Sequence, residues 1–164
     1  MRWSLCFAIL VGMSQSVTIV GAGLAGSEAA LQLADRGVRV RLVEMRPKTP
    51  TLVHVTGCCA ELVCSNSLKS EKPDSAAGML KRELAELGSQ LYAQAKLHAV
   101  PAGGALAVDR TAFAEAVTAL VEAHPLIDLV HEEVVDLVQA AEGADALVVA
   151  AGPLASDALA ASLS

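Results

Sequence analysis

A short apolar segment that runs directly into three closely spaced glycines is the feature that most limits how this chain can fold. Residues 17–26 read VTIVGAGLAG, and a helical pattern follows at once. This order predicts a strand, a tight turn and a helix. Gly21 permits the turn, Gly23 leaves room for a ligand beside the backbone, and Gly26 lets the helix pack closely on the strand. Free N–H groups at the start of such a helix bind anions, so the segment predicts a site for a dinucleotide diphosphate.

A second predicted strand, residues 38–43, supports this interpretation. Apolar residues alternate with arginines along it, and it ends at Glu44. A carboxylate in this place can accept hydrogen bonds from an adenosine ribose, whereas a plain strand–helix turn is the alternative interpretation. A further apolar strand is predicted for residues 146–151, just before Gly152. Together with residues 17–20, these strands predict an α/β fold with a doubly wound parallel sheet.

The stretch between the second and the last predicted strand, about residues 47–145, is too long for one helical crossover and is predicted to be an insertion of helices and loops. Leucines at positions 80, 84, 87 and 91 predict one helix, with Asp74 as a possible N-cap. Another helix is predicted to begin near Asp109 or Thr111 and to end at Pro125. The other predicted elements are a helix over 24–36, a loop at 46–57, a loop or short strand at 100–110, and short strands at 127–130 and 134–138.

Length and charge limit the class of protein. A chain of 164 residues is about one domain's worth, and its formal net charge of −6 argues against a generally basic surface that coats nucleic acid. Any RNA contact therefore needs a local basic patch, although a solvated edge is the alternative interpretation. The candidates for that patch are Arg36, Arg39, Arg41, Arg46 and Lys48.

The first fifteen residues are predicted to be a leader or a mis-assigned start. MRWSLCFAILVG imitates a signal peptide, but its apolar run is too short to cross a bilayer and no cleavage pattern follows. A start near Met13 is the favoured interpretation, and no membrane span is expected elsewhere. The four cysteines, Cys6, Cys58, Cys59 and Cys64, follow no regular disulfide spacing, which predicts reduced thiols and a cytoplasmic location.

Cys64 is the candidate for a reactive group. It lies in ELVCSNS, where hydroxyl and amide side chains next to the thiol could stabilise a thiolate; an inert cysteine is the alternative. No metal site is predicted, because the spacing of His54, Cys58, Cys59 and Cys64 matches no common zinc ligand pattern. Glu28, in the first predicted helix, either reaches the glycine loop or is solvated. The histidines at 98, 124 and 131 are expected on the surface or in packing.

Five segments carry a more specific signal than the glycines alone. They read VTIVGAGLAGSEAALQLADRG, VRLVEMRP, AELVCSNSLKS, VPAGGALAVDR and VVAAGPL, and they extend over about residues 16–163. ELVCSNSL and PAGGALAVDR are the most specific, because generic flavoproteins lack them. This combination resembles the folate- and flavin-dependent tRNA uracil-5-methyltransferases.

The resemblance implies that residues 16–164 are the N-terminal part of a Rossmann-like FAD-binding domain. The glycine loop would then hold the FAD diphosphate and Glu44 its ribose, and Cys64 matches the family cysteine used in a covalent step with flavin or substrate. The implied cofactor-binding residues are Gly21, Ala22, Gly23, Leu24, Ala25, Gly26, Glu44, Arg46, Gly103, Gly104, Asp109, Arg110 and Gly152.

Members of this family transfer a one-carbon unit from methylenetetrahydrofolate to C5 of a T-loop uridine in tRNA, with flavin electrons drawn from NAD(P)H. The chain stops before the family's usual end, which implies a fragment with an incomplete flavin domain and without most of the tRNA- and folate-binding regions. It also departs from the family pattern at residues 57–59, next to Cys64. The alternatives are a non-catalytic dinucleotide-binding remnant, a general FAD or NAD oxidoreductase, and the larger flavoprotein that modifies tRNA wobble uridines.

Overall fold

Two sheets organise residues 15–163, the part of the chain that this computed structural model describes. The larger sheet is parallel and the smaller one antiparallel. The elements are β1 (Ser16–Val20), α1 (Leu24–Asp35), β2 (Arg39–Glu44), β3 (Ser67–Ser70), α2 (Ala76–Glu86), α3 (Gln90–Leu97), β4 (Ala99–Val100), β5 (Ala105–Val108), α4 (Arg110–Ala123), β6 (Ile127–His131), α5 (Leu137–Ala141), β7 (Ala146–Val149) and α6 (Asp157–Ser162).

The larger sheet has the strand order β6-β2-β1-β7, and every neighbouring pair is parallel. Ile19 and Leu42, on adjacent strands, are fully buried in a core that also contains Leu31 of α1 and Phe113 of α4. The predicted α/β class with a parallel sheet is therefore confirmed. Because parallel strands share one carboxyl edge, the glycine loop, Glu44 and the end of β7 lie along the same side of this sheet.

Helices α1 and α4 begin and end close to the predicted positions. α1 is followed by Gly37 at φ +84°, a left-handed conformation that suits glycine and stops a helix. Asp109 caps α4 by accepting hydrogen bonds from the N–H groups of Thr111 and Ala112, at 3.0 and 3.1 Å. Phe113 and its neighbours one and two turns further on are fully buried, as the helical spacing predicts.

The single leucine-rich helix predicted after Asp74 is wrong. Two helices, α2 and α3, occupy this stretch, and Gly88 at φ +72° lies between them. The N-cap is Ser75, whose Oγ accepts a hydrogen bond from the Gly78 N–H at 3.1 Å. Leu87 is 72% exposed, because the chain turns away from the core there and the helical spacing of leucines does not continue into one buried face.

Two predicted strands also differ from the structure. Residues 134–138 form no strand; they are irregular and then enter α5, which Asp136 caps by accepting a hydrogen bond from the Val138 N–H at 2.8 Å. The segment 146–151 does form β7 as far as Val149, but that strand is not buried. Val149 is 39% exposed, because β7 pairs only with β1 among the strands that the structure describes.

The stretch 47–145 contributes to both sheets. Its first part contains the antiparallel sheet β3-β5-β4 with α2 and α3. In its later part, α4 packs against the parallel sheet and β6 pairs with β2 in that sheet. Residues 46–57 contain no helix or strand, as predicted, and residues 99–108 form a hairpin.

None of the helices in the described range 15–163 has the length and apolar character needed to cross a membrane. The predicted leader, apart from residue 15, lies outside the described residues.

Candidate functional site

The turn after β1 depends on Gly21. Its φ is +100°, in the left-handed region that L-residues rarely adopt, and its N–H donates a hydrogen bond to the Val43 carbonyl at 2.7 Å. A Cβ at this position would lie 2.7 Å from the Cα of Ala151. Both the backbone conformation and the close approach of the chain after β7 therefore require glycine here.

Gly26 and Gly23 act in different ways. A Cβ at Gly26 would lie 1.8 Å from the Gly21 carbonyl oxygen, so this glycine allows α1 to pack against the turn. A Cβ at Gly23 would meet nothing within 4 Å, so the space in front of α1 is open. No side chain of the described residues caps α1. Open backbone before a helix N-terminus fits a diphosphate, and a side chain at Gly23 would occupy that space.

Glu44 is buried at the end of β2 and is linked to the glycine loop. Its Oε2 accepts a hydrogen bond from the Ala22 N–H at 2.9 Å, and its Oε1 accepts one from the Arg46 Nε at 2.8 Å. Burial by itself raises the pKa of this carboxyl. The hydrogen bonds from Arg46 and Ala22 outweigh that effect and hold the pKa below its ordinary value. Glu44 is therefore ionised and adjacent to the predicted diphosphate site, as the ribose hypothesis requires.

Arg46 is a buried side chain that fastens the following loop to β2. Its side chain donates hydrogen bonds to Glu61 Oε2 at 3.1 Å, to the Thr56 carbonyl at 3.4 Å and to the Cys58 carbonyl at 3.2 Å. Only 3% of the residue is exposed, so Arg46 cannot belong to the predicted basic surface patch. Its guanidinium positions Glu44 and the loop, rather than facing an open surface.

Glu61 is the residue of this network that sequence reasoning missed. Its Oε1 accepts a hydrogen bond from the Val55 N–H at 2.9 Å, and its Oε2 accepts one from the Thr56 hydroxyl at 2.6 Å. Burial raises the pKa of this carboxyl, but the hydrogen bonds from Thr56 and Val55 lower it below the ordinary value. One sequence feature could have indicated a role for Glu61: it is the only acidic residue of the motif ELVCSNSL.

The cleft at the carboxyl edge of the parallel sheet is small in this conformation. Gly21, Glu44, Val134 and Ala151 line a cavity of about 40 Å³, together with Leu159 of α6. Sites for cofactors and drug-sized ligands are typically about 300–1,000 Å³. The part of the cleft that these residues enclose has room for a few water molecules. Gly23 does not line it, and the space beside Gly23 is open.

Cys64 lies in a different and more open cavity, of about 440 Å³. Cys64 is exposed, and two of the neighbours predicted to stabilise a thiolate make hydrogen bonds with backbone groups. Asn66 donates from Nδ2 to the Val108 carbonyl at 3.2 Å, and Ser65 Oγ accepts from the Ser67 N–H at 3.0 Å. These hydrogen bonds fix the loop around Cys64.

The residues of the PAGGALAVDR motif are divided between two places. Asp109 and Arg110 line the Cys64 cavity, with one guanidinium nitrogen of Arg110 3.5 Å from the Leu62 carbonyl oxygen. Gly103, at φ +62°, and Gly104 form the tip of the β4–β5 hairpin. They lie at the opposite end of the four-residue strand β5, roughly 13 Å away at the usual rise per residue.

Cys59 and Glu28, the remaining candidate residues, have structural roles. Cys59 is fully buried, and burial raises the pKa of its thiol to about 11. Among the described residues, no three histidine, cysteine or acidic side chains are placed to bind a metal ion. Glu28 neither reaches the glycine loop nor lies in solvent; its carboxylate accepts hydrogen bonds from the Ser89 hydroxyl at 2.9 Å and the Leu91 N–H at 2.8 Å, and so holds the start of α3.

Known proteins resemble this chain over nearly all of its described length. Proteins named methylenetetrahydrofolate--tRNA-(uracil-5-)-methyltransferase TrmFO from Geobacter sulfurreducens and Pelobacter propionicus are 56% and 55% identical to it over 148 and 152 residues. These matches confirm the resemblance found in the motifs. They cover 90% and 93% of this chain but 33% of each relative, so the chain spans about a third of the length of the curated relatives it matches.

A solved structure of Pseudomonas aeruginosa PqsL in complex with 2-aminobenzoylacetate matches 72% of this chain and 33% of its own, with a TM-score of 0.44 and 16% sequence identity. The sequence profile described as Glucose inhibited division protein A matches residues 16–161. On that match, which includes the glycine loop, Glu44 and the Cys64 segment, the chain belongs to the glucose inhibited division protein A family.

Proposed function

We propose that this chain supplies the FAD-binding part of a folate-dependent tRNA uracil-5-methyltransferase. The printed name of its relatives supports methylenetetrahydrofolate as the carbon donor and C5 of a tRNA uracil as the acceptor. The proposal depends on one observation: the same chain has an open glycine loop in front of α1 and an exposed thiol in a second cavity. A dinucleotide site and a nucleophile are what flavin-dependent alkylation of a uracil ring needs.

The glycine loop fits the diphosphate of FAD. Gly23 leaves the approach to α1 open, and the first N–H groups of that helix would donate hydrogen bonds to the diphosphate oxygens. Glu44 stays ionised beside them. Its Oε1 accepts two hydrogen bonds from Arg46 and its Oε2 one from Ala22, so Oε2 keeps a lone pair that can accept from a ribose hydroxyl. Bound flavin would supply the electrons and hold the one-carbon unit, with NAD(P)H as the reductant that restores them.

Cys64 is the proposed nucleophile. Its thiol is exposed in a cavity large enough for a pyrimidine ring, whereas the thiol of Cys59 is buried and held protonated. C5 of uracil is a poor nucleophile until a thiolate or a base activates the ring, so an accessible sulfur has a direct use here. Arg110 lines the same cavity, so its positive charge would lie beside an anionic oxygen of a substrate bound there.

Reconstitution tests the proposal in two steps. The purified chain is incubated with FAD and desalted, and retained flavin is read from its absorption band and from bleaching by NADPH or NADH. Methylenetetrahydrofolate and a tRNA T-loop minihelix are then added, and 5-methyluridine is measured by mass spectrometry, both for this chain and for a version of family length. Retained flavin with methylation in the longer version supports the proposal, and failure to bind FAD contradicts it.

The same experiment separates the alternatives. Flavin that NADPH or NADH reduces, with no methylation in either version, would favour a general oxidoreductase. Flavin binding without turnover in this chain, with methylation in the longer version, would identify this chain as a dinucleotide-binding fragment of the methyltransferase.

A further inference from the structure

Asn66 lines the same cavity as Cys64 and is attached to β5 at two points. The Val108 N–H donates a hydrogen bond to the Asn66 carbonyl at 2.9 Å, and Asn66 Nδ2 donates one to the Val108 carbonyl at 3.2 Å. The first bond holds the backbone of Asn66, and the second holds its side chain. Both are therefore fixed beside the exposed thiol.

The bond to Val108 also decides which end of the Asn66 amide is free. A backbone carbonyl can only accept, so the amide atom that meets it is the nitrogen. The oxygen, Oδ1, is the end left for a ligand, and no donor within residues 15–163 is bonded to it. The cavity beside Cys64 therefore has a hydrogen-bond acceptor of fixed orientation in its lining.

Other residues of the cavity complement this acceptor. Arg110 lines it, and a guanidinium can only donate hydrogen bonds. Val100 and Val108 add apolar surface on which a flat ring can pack. Uracil has an N3–H donor between carbonyl acceptors, whereas N3 of cytosine is itself an acceptor, and such edges are what proteins read on an unpaired base. The acceptor of Asn66 and the donors of Arg110 match uracil and oppose cytosine.

We propose that Asn66 selects uracil by accepting a hydrogen bond from its N3–H through Oδ1, while Arg110 donates to an adjacent carbonyl oxygen. Because Cys64 is two residues away, the Cα atoms of Cys64 and Asn66 lie within about 7 Å of each other, so one ring can contact both side chains. A bound cytosine would leave Oδ1 facing another acceptor. The inference rests on the proposed function, since it specifies how the substrate of that site is recognised.

Two T-loop minihelices that differ only in the target base, uridine or cytidine, test this inference. The Kd of each is measured by fluorescence anisotropy on the FAD-loaded version of family length, without methylenetetrahydrofolate, so that no turnover occurs. The wild type is expected to favour uridine by about tenfold or more, because cytidine leaves acceptors unpaired. Asn66→Ala is expected to weaken uridine about tenfold and to change cytidine by less than about threefold, which removes most of the preference.

Two further variants separate recognition of the base from the structure of the loop. Asn66→Asp keeps acceptor oxygens but loses the donor to the Val108 carbonyl, so near pH 8 it should keep the preference for uridine. It carries the test if Asn66→Ala does not fold. Ser67→Ala is the matched control, because it removes the hydrogen bond from the Lys69 N–H at 3.1 Å in the same segment and Ser67 does not line the cavity. Its preference should equal that of the wild type.

Several results would overturn the role of Asn66 and leave the proposed function intact. These are an unchanged preference in Asn66→Ala, equal weakening of both minihelices, and loss of the preference in Asn66→Asp. Loss of flavin from Asn66→Ala would also overturn it, because Oδ1 would then face the N3–H of the flavin ring. Loss of the preference in Asp109→Asn alone would assign the reading of N3–H to the other acceptor of the cavity.

Methylation of the uridine minihelix distinguishes failure of this inference from failure of the proposed function. After methylenetetrahydrofolate and NADPH are added, the wild type is expected to form 5-methyluridine, and Asn66→Ala is expected to show about a tenfold lower kcat/KM. A wild type that forms no 5-methyluridine would overturn the proposed function and the role of Asn66 with it.

Discussion

The Nε of Arg46 lies 2.8 Å from Oε1 of Glu44, and both residues are almost completely buried, with 3% and 5% of their surfaces exposed. The same guanidinium pairs with Glu61, so one cation is shared by two carboxylates. Glu44 in turn accepts a hydrogen bond from the Ala22 N–H of the glycine loop. The ion pair therefore connects the predicted diphosphate cradle to the loop that leads towards Cys64.

Arg46→Gln should destabilise the fold strongly. Removal of the guanidinium leaves two buried carboxylates without their cation, which costs about 3–5 kcal/mol in buried pairs. Urea unfolding followed by circular dichroism measures the change. Arg41→Gln is the matched control: Arg41 pairs with Glu132 on the surface, where such pairs are worth about 0–1 kcal/mol. Equal losses for the two variants would contradict the central role of Arg46.

Stability should fall in acid because of Glu44 and Glu61. Their pKa values in the folded chain lie below the ordinary value, so the unfolded chain binds more protons as the pH falls. The stabilisation is complete above the ordinary carboxyl pKa and is lost as the pH drops through the lowered pKa values. Urea unfolding between pH 7 and pH 3 measures this dependence. Glu61→Gln should make the dependence shallower, and an unchanged slope would exclude Glu61 as a contributor.

Two glycines of the same loop should respond differently to substitution. Gly26→Ala places a Cβ 1.8 Å from a backbone oxygen, so the free energy of unfolding should fall by about 1–3 kcal/mol or more. Gly23→Val meets open space, so the chain should stay folded but lose FAD, because the side chain occupies the diphosphate's place. Thermal unfolding and flavin retention separate these effects. Full FAD binding by Gly23→Val would exclude the proposed cradle.

The cysteines should differ in reactivity. Iodoacetamide near pH 8 should alkylate Cys64 rapidly and Cys59 slowly, because Cys59 is fully buried with its thiol pKa raised to about 11. Peptide mass spectrometry of timed samples measures both rates in one experiment. In a version of family length, Cys64→Ala should abolish methylation and retain flavin, with Cys58→Ala as the control. Methylation that survives Cys64→Ala would remove this cysteine from the mechanism.

The sequence alone determined the features that depend on neighbours in the chain. The turn at Gly21, the start of α1 and an N-cap of α4 at Asp109 or Thr111 each follow from local stereochemistry and hydrogen bonds, so short motifs were enough to predict them; the structure shows that Asp109 is the cap. The strands β1 and β2 and their end at Glu44 were also readable, because their apolar pattern spans only a few residues.

Only the tertiary structure decided which distant groups meet. Burial of Arg46 between two carboxylates, the hydrogen bonds of Glu28 at the start of α3 and the position of Leu159 in the cleft beside Glu44 all depend on packing between segments, and Leu159 is 115 residues from Glu44. Gly103 and Cys64 are likewise apart because Gly103 precedes the start of β5, whereas the Cys64 cavity is lined by residues at the end of β5. Such contacts form when strands pair and helices pack, and a sequence pattern specifies a buried face without specifying its partner.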